Sequence, residues 1–460
     1  MKAIVLLLTS SILSAADVHF GNGIKIGEVD QSSAIVWLRL TDSPERRADG
    51  TAFRDEDEKV PEGLRLRDMK DSLMGTAGSV RVRYQTKDGG ESVTPWQEVD
   101  AKQDFTAQIR LSGLKPATAH TIIAEGRGND TSDKLATCEG GFTTAPLPDA
   151  VAPVRFVAVT CHDFPRRDDG ERGHLIYPVM TRLNPAFLVH TGDIEYYDKP
   201  GPWAMSAELA RFKWNRLYSL QNQRDFHRRH ASYFMKDDHD TLKNDCWPGQ
   251  NYGDLTWEQG LAIFREQFPL GEKPYRTVRW GKDLQIWMVE GRDYRSPNNM
   301  PDGPAKSILG AEQKKWLFET MRQSDASFRI LISPTPILGP DRGEKRDNLA
   351  NKGFTHEGDE VRAFLSGLDH TYIICGDRHW QYVSRDASGK LTEFSCGPGS
   401  DSHAEGFSMK NRAPEHRFLR IKGGFLSVEV NRHAGHPAIA FRHHDVAGAT
   451  VHEETFTRQP

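Results

Sequence analysis

The stretch AFLVHTGDIEYYD, residues 186–198, decides the reading of the chain. Its first part, 186–190, is a short apolar run closed by a turn signal, the pattern of a buried strand. The glycine at 192 permits a tight exit from that strand and leaves Asp193 at its carboxyl end. The same arrangement occurs twice more. Residues 154–160 run as an apolar strand into Cys161-His162-Asp163, and residues 372–375 run into Gly376-Asp377-Arg378-His379. Three strand ends therefore each carry a residue able to bind metal.

Outward from these strands the pattern alternates β with α. Helical periodicity covers 174–183, 202–229, 256–268, 311–323 and 359–368, strand-like runs cover 284–290 and 328–333, and several short strands close the chain over 418–456. Alternation of this kind predicts an α/β fold with its function on loops at the carboxyl ends of the strands. Before residue 148 the pattern differs. Short β-like runs such as SVRVRYQT and TAQIRLSGL predict a β-sandwich over 17–148, interrupted by a charged, solvated stretch at 42–74. The proline-rich TAPLPDAVAP at 144–153 separates it from a second domain over 149–460.

A chain of 460 residues exceeds one hydrophobic core. Its 60 Lys and Arg against 64 Asp and Glu, a net charge of -4, exclude a basic nucleic-acid footprint. Residues 1–16 carry Lys2, an apolar run and the small-residue site Ser14-Ala15-Ala16, which predicts a signal peptide and a secreted or periplasmic protein. That run is too short to span a bilayer, and no later segment predicts a transmembrane helix. Five cysteines are too few for a disulfide scaffold, and their odd number leaves a thiol free for chemistry, with Cys161 the best placed.

Asp193 is the natural bridging carboxylate of a two-metal site, with Tyr196 three residues on in the same loop. Asp237-Asp238-His239-Asp240 packs three carboxylates and an imidazole into four residues, a cluster that repels itself without cations. Arg292 and Arg295 follow the 284–290 strand and suit bidentate contact with a phosphate.

Together, the opening GNGIKIGEVDQSSAIVWLRLT, the strand-end Cys161, HTGDIEYYD, KDDHDTLKND (236–245), EGRDYRSP (290–297), LGAEQKKWL (309–317) and CGDRHW (375–380) resemble the PhoD-like alkaline phosphatase family of the calcineurin-like metallophosphoesterases. The resemblance implies a fibronectin-III-like sandwich followed by a layered αββα metallophosphoesterase domain. It implies that Cys161, Tyr196 and His379 bind ferric iron (Fe3+), that Asp193 bridges to calcium (Ca2+), and that Asp238 and Asp377 complete the second site. His239 resembles the histidine that protonates the leaving oxygen. Water activated at the metals would attack a small-molecule or polymeric phosphate ester, a monoester or a diester, with the protein acting as a monomer. A nucleotide or phospholipase-D-like phosphodiesterase and a non-catalytic, metal-stabilised binding module are the alternatives. Two departures stand out: Lys236 replaces a tryptophan frequent in the family, and 332–336 (ISPTP) lacks a histidine ligand, which favours calcium at the second site.

Overall fold

The computed structural model describes residues 18–129 and 134–458. The expected signal peptide at 1–16 lies outside the described residues. Among the described residues no helix is long and apolar enough to cross a membrane.

The strand Val154–Val159 shows how the layers arise. Successive side chains of a strand point to opposite faces. Phe156 and Ala158 enter the large core between sheets, whereas Val157 and Val159 pack with Tyr177, Met180 and Phe226 from the helices Ile176–Leu183 and Gln221–His227. A strand covered on both faces must be apolar throughout, and this one is nearly so. Its parallel neighbours are Phe187–His190 and, beyond it, Ala231–Phe234. On its other side runs the antiparallel C-terminal strand Phe425–His433, followed outward by His436–His444 and Thr450–Thr457.

A second, seven-stranded sheet runs in the order Arg276–Trp280, Leu284–Met288, Phe328–Ser333, Thr371–Cys375, Thr392–Cys396, Gln381–Arg385 and His416–Arg420. The two sheets face each other through one core. The Phe187 ring lies 4.7 Å from Trp280, and Phe394 stacks on Phe441 at 4.0 Å. Fully burying each such side chain contributes about 1.5–3 kcal/mol. The outer face of the second sheet, with Trp287, Leu331 and Ile373, is covered by residues of the helices Ala311–Gln323 and Thr355–Ser366.

Ile24–Gly27, Ser33–Arg39 and Thr106–Ser112 extend the first sheet to nine strands, joined by a parallel pairing of Gly27 with Ser232. Ser79–Thr86, Ala119–Arg127 and Ala136–Thr143, with two short strands, form a separate five-stranded sheet. Val36, Val80, Ile109 and Ile122 belong to the same apolar cluster as Phe156 and Phe187, so the core continues past the proline-rich connection.

Candidate metal centre

The carboxyl ends of the two central sheets meet at close quarters. A Cβ on Gly376 would fall 2.5 Å from Thr191 Oγ1, 2.7 Å from Thr160 Oγ1 and 2.8 Å from the Pro334 carbonyl oxygen, so only glycine lets the second sheet's loop approach the first. At the three strand ends Cys161, Asp193 and Asp377 all adopt left-handed backbone, with φ of 51°, 54° and 62°. Each such non-glycine residue costs about 1–3 kcal/mol and persists only where its surroundings over-determine it. Here they do. The Asp240 carboxylate accepts from the backbone N–H of Asp193 and Ile194 at 2.7 Å, Glu195 at 3.1 Å and Asp237 at 2.9 Å. The Cys161 N–H donates to the Gly192 carbonyl at 3.2 Å and the His162 N–H to that of Asp193 at 2.8 Å.

These constraints bring the expected ligands together. Cys161 Sγ lies 3.6 Å from Asp193 Oδ2, and the Tyr196 hydroxyl is 3.4 Å from that oxygen and 3.2 Å from His379 Nε2. Ligand atoms of Cys161, Asp193 and His379 lie within 4.8 Å of one another, as do those of Asp193, Asp238 and His239 and those of Asp193, Asp237 and Asp377. Asp193 is common to all three groups. The expected second set of Asp193, Asp238 and Asp377 is thus divided over two groups, and Asp237 joins it. His379 also groups with His403 and Glu405, whose segment the sequence reading did not single out.

The acidic residues have dedicated counter-charges. Arg292 is fully buried; its Nε donates to Asp237 Oδ1 at 2.5 Å, and Nη2 lies 3.6 Å from Asp238 Oδ1. Its Nε is engaged by Asp237, while Nη2 is buried without a hydrogen-bond partner. Arg295, also buried, donates Nη2 to Asn298 Oδ1 at 2.6 Å and to the Asp347 carbonyl at 2.7 Å. Arg378 pairs with Asp377 and Asp341, each at 2.6 Å. Lys236 is buried between Glu290 at 2.5 Å and Asp293 at 2.6 Å. It holds the 290–293 loop against the acidic run.

Counter-charge remains incomplete at the centre. Asp193 Oδ1, Asp237 Oδ2 and Asp238 Oδ1 are buried without a hydrogen-bond partner. Unpaired carboxylate oxygens of this kind are costly unless a cation takes them. Burial, with the neighbouring carboxylates, pushes Asp193 well above the usual range despite His239. Burial likewise pushes Asp237 up to about 7 and Asp377 up to about 6, against the opposing charges of Arg292 and Arg378. Asp238 goes the other way: burial opposes its charge, but Arg292 and His239 hold its carboxyl well below the usual range. Burial and Asp193 raise the Cys161 thiol and the Tyr196 phenol. The metal-free cluster therefore favours protons where its ligand atoms converge, so binding cations would release protons. The donor set fits metal cations.

His239 Nδ1 is 2.5 Å from Asp198 Oδ1. Burial disfavours the imidazolium, but the carboxylates of Asp238, Asp198 and Asp193 outweigh it and push its pKa up to about 10. Asp198 also accepts from the Asn244 N–H at 2.7 Å, which leaves that backbone group in a turn-like role. Asp198 closes the HTGDIEYYD stretch and Asp240 closes the DDHD run. Their types were visible, but nothing local distinguishes a residue that orients a ring or a loop from one that binds metal. All five cysteines are unpaired.

The PhoD-like phosphatase family model matches residues 156–447. Alkaline phosphatase D of Bacillus subtilis (strain 168) is 22% identical over 417 residues, which span 72% of this chain and 69% of that protein. A solved structure of PhoD superposes with a TM-score of 0.75 at 16% identity, covering 97% of this chain and 92% of that one. Purple acid phosphatase PPD1 from yellow lupin (Lupinus luteus) seeds superposes with a TM-score of 0.65 at 11% identity, covering 95% and 74%. With the family model spanning well over half of its length, the chain belongs to the PhoD-like phosphatases.

Proposed function

We propose that this protein is an exported hydrolase of phosphate esters whose centre holds two metal ions, with a sandwich unit over 17–148 preceding the catalytic unit over 149–460. The observation that carries the reading is that Asp193 is shared by three groups of converging, largely buried ligand residues and leaves one carboxylate oxygen unpaired. Cys161, Tyr196 and His379 would hold one cation and Asp238 and Asp377 the other, with Asp193 between them and Asp237 an added candidate. Thiolate and phenolate favour ferric iron on the first side, and a carboxylate-rich second side favours calcium.

Bound cations would neutralise charge on the phosphoryl oxygens and make water nucleophilic near neutral pH. The chain's residues do the rest. Asp240 fixes the Asp193 loop through its backbone N–H groups, and Arg292 holds Asp237 and Asp238 in place as a positioning residue. Asp198 engages His239 Nδ1, so the transferable proton sits on Nε2, where His239 gives it to the leaving oxygen. The 2.5 Å contact with Asp198 supports that orientation.

The test is hydrolysis of p-nitrophenyl phosphate and bis-p-nitrophenyl phosphate with and without chelator. Chelator-sensitive turnover of either ester supports the reading, and the preferred ester separates a monoesterase from a phosphodiesterase. Failure of metal-loaded protein to hydrolyse either would leave a metal-stabilised binding module. A visible charge-transfer band in active protein supports iron beside thiolate or phenolate; a colourless, iron-free, fully active preparation rules iron out.

A further inference from the structure

We propose that Arg342 grips the phosphoryl group of the substrate and makes the centre prefer phosphate monoesters to diesters. The inference rests on the reading of the centre as a phosphoester hydrolase. Arg292 and Arg295 are buried and each is held through part of its guanidinium by protein partners, so a partly exposed guanidinium is the more accessible cation for a phosphate.

Three arginines are tied to residues around the centre: Arg378 to Asp377, Arg166 to Glu405, which lies 3.8 Å from His379, and Arg342 to Asp341. Arg378 is fully buried and paired with Asp377 and Asp341, each at 2.6 Å. Arg166 donates to Glu405 at 2.6 Å and lies 3.4 Å from Asp163. Lys345, on the same segment as Arg342, is taken by Asp245 at 2.8 Å and lies 3.5 Å from Asp347.

Arg342 differs from all of these. Among the described residues no hydrogen bond reaches its guanidinium, and its Nε is buried without a partner. Its one ion-pair contact is Asp341 at 3.8 Å, whose carboxylate already accepts from Arg378 at 2.6 Å, Asn348 at 2.8 Å and the Arg342 backbone N–H at 2.7 Å. The side chain is 27% exposed, so it neither floats in solvent nor sits in the core. Its guanidinium carbon is 5.7 Å from the centroid of the Trp380 ring, next in sequence to His379. A Cβ on Gly406 would come within 3.2 Å of its Nη1, so the glycine leaves room for the fork.

A packed, partly exposed guanidinium without hydrogen bonds, 5.7 Å from the Trp380 ring and 3.8 Å from the Asp341 carboxylate that Arg378 shares, is built for an anion with two oxygens to offer. A phosphate monoester carries three non-ester oxygens and up to two negative charges; a diester carries two and one. A fork beside a cation-binding cluster therefore finds an extra oxygen and extra charge in the monoester alone.

The experiment compares wild type, Arg342→Gln and Arg342→Lys, all metal-loaded, for kcat/KM on the two p-nitrophenyl esters, inhibition by inorganic phosphate, metal content and Tm. Arg342→Gln should lose about 10- to 100-fold in kcat/KM on the monoester and under about 3-fold on the diester. Phosphate inhibition should weaken in step, Arg342→Lys should recover part of the loss, and metal content should hold. Equal losses on both esters, unchanged monoester kinetics or loss of bound metal would overturn the proposal. Should wild type hydrolyse neither ester, the hydrolase reading fails, and direct phosphate binding still decides on Arg342: binding weakened by Arg342→Gln upholds its anion contact, and unchanged binding refutes it.

Discussion

The two sides of the centre are built on opposite principles. Cys161, Tyr196 and His379 meet around Asp193 as a thiol, a phenol and an imidazole, and burial favours the neutral form of all three. Asp237 and Asp238 form a carboxylate side, against which the structure sets Arg292, fully buried. The first side is cheap to bury without metal and must lose protons to bind one. The second keeps Asp238 charged, and that charge needs constant compensation, so its arginine is part of the fold whether or not metal is present. One carboxylate, Asp193, belongs to both sides.

The largest effect should come from removing what the sides share. Asp193→Asn is expected to lower ester hydrolysis by at least about 10³-fold while circular dichroism reports a native fold; wild-type turnover would remove Asp193 from the bridge. Splitting the sides comes next. Cys161→Ser should abolish or shift a visible charge-transfer band, whereas Asp238→Asn should leave that band in place while lowering activity. Identical metal analysis and spectra for the two variants would show that the sides are not separate sites.

Arg292→Met tests the claim that the acidic side needs its arginine without metal. It should cost about 3–5 kcal/mol in urea unfolding of metal-stripped protein, and added metal should recover more stability in the variant than in wild type. A cost under about 1 kcal/mol would make the buried pair dispensable. The smallest expected effect is on pH. Asp237 and Asp377 are raised to about 7 and about 6, so they stabilise the metal-free fold below the ordinary carboxylate range, and that contribution is lost as pH climbs through these values. Metal takes the place of those protons, so the gain in Tm on metal addition should be larger at about pH 8 than at about pH 5. A gain that shrinks with rising pH would contradict the assignment.

The strands that carry the centre were legible because burial on both faces forces a continuous apolar run. The expected strand at 328–333 and helix at 311–323 match Phe328–Ser333 and Ala311–Gln323. Less legible were Gln381–Arg385 and Thr392–Cys396, where Gln381, Ser384, Thr392, Glu393 and Ser395 are polar yet buried. Glu393 shows why: its carboxylate accepts from the N–H of Ile337, Leu338 and Gly339 at 2.7, 2.9 and 3.0 Å, long-range bonds that no local periodicity records. The helical region at 202–229 proved to be two helices, Ala207–Leu217 and Gln221–His227, with a break at 218–220 that carries neither proline nor glycine.

At the centre, residue types revealed possible ligands, and the positive φ at Cys161, Asp193 and Asp377 shows how the backbone turns at each strand end. The division of labour was hidden. Asp237, Asp238 and Asp240 are near neighbours in sequence, yet one pairs with an arginine, one groups with Asp193 and His239, and one ties down a loop. A guanidinium after a strand, as at Arg292, reads the same in sequence whether it faces solvent or a buried carboxylate.

The most direct measurement is a titration of metal into chelator-stripped protein, following p-nitrophenyl phosphate hydrolysis against metal bound per chain. A shared two-metal centre predicts no turnover without metal and full activity only near two equivalents, with Asp193→Asn inactive throughout. Wild-type turnover by protein verified as metal-free would contradict it.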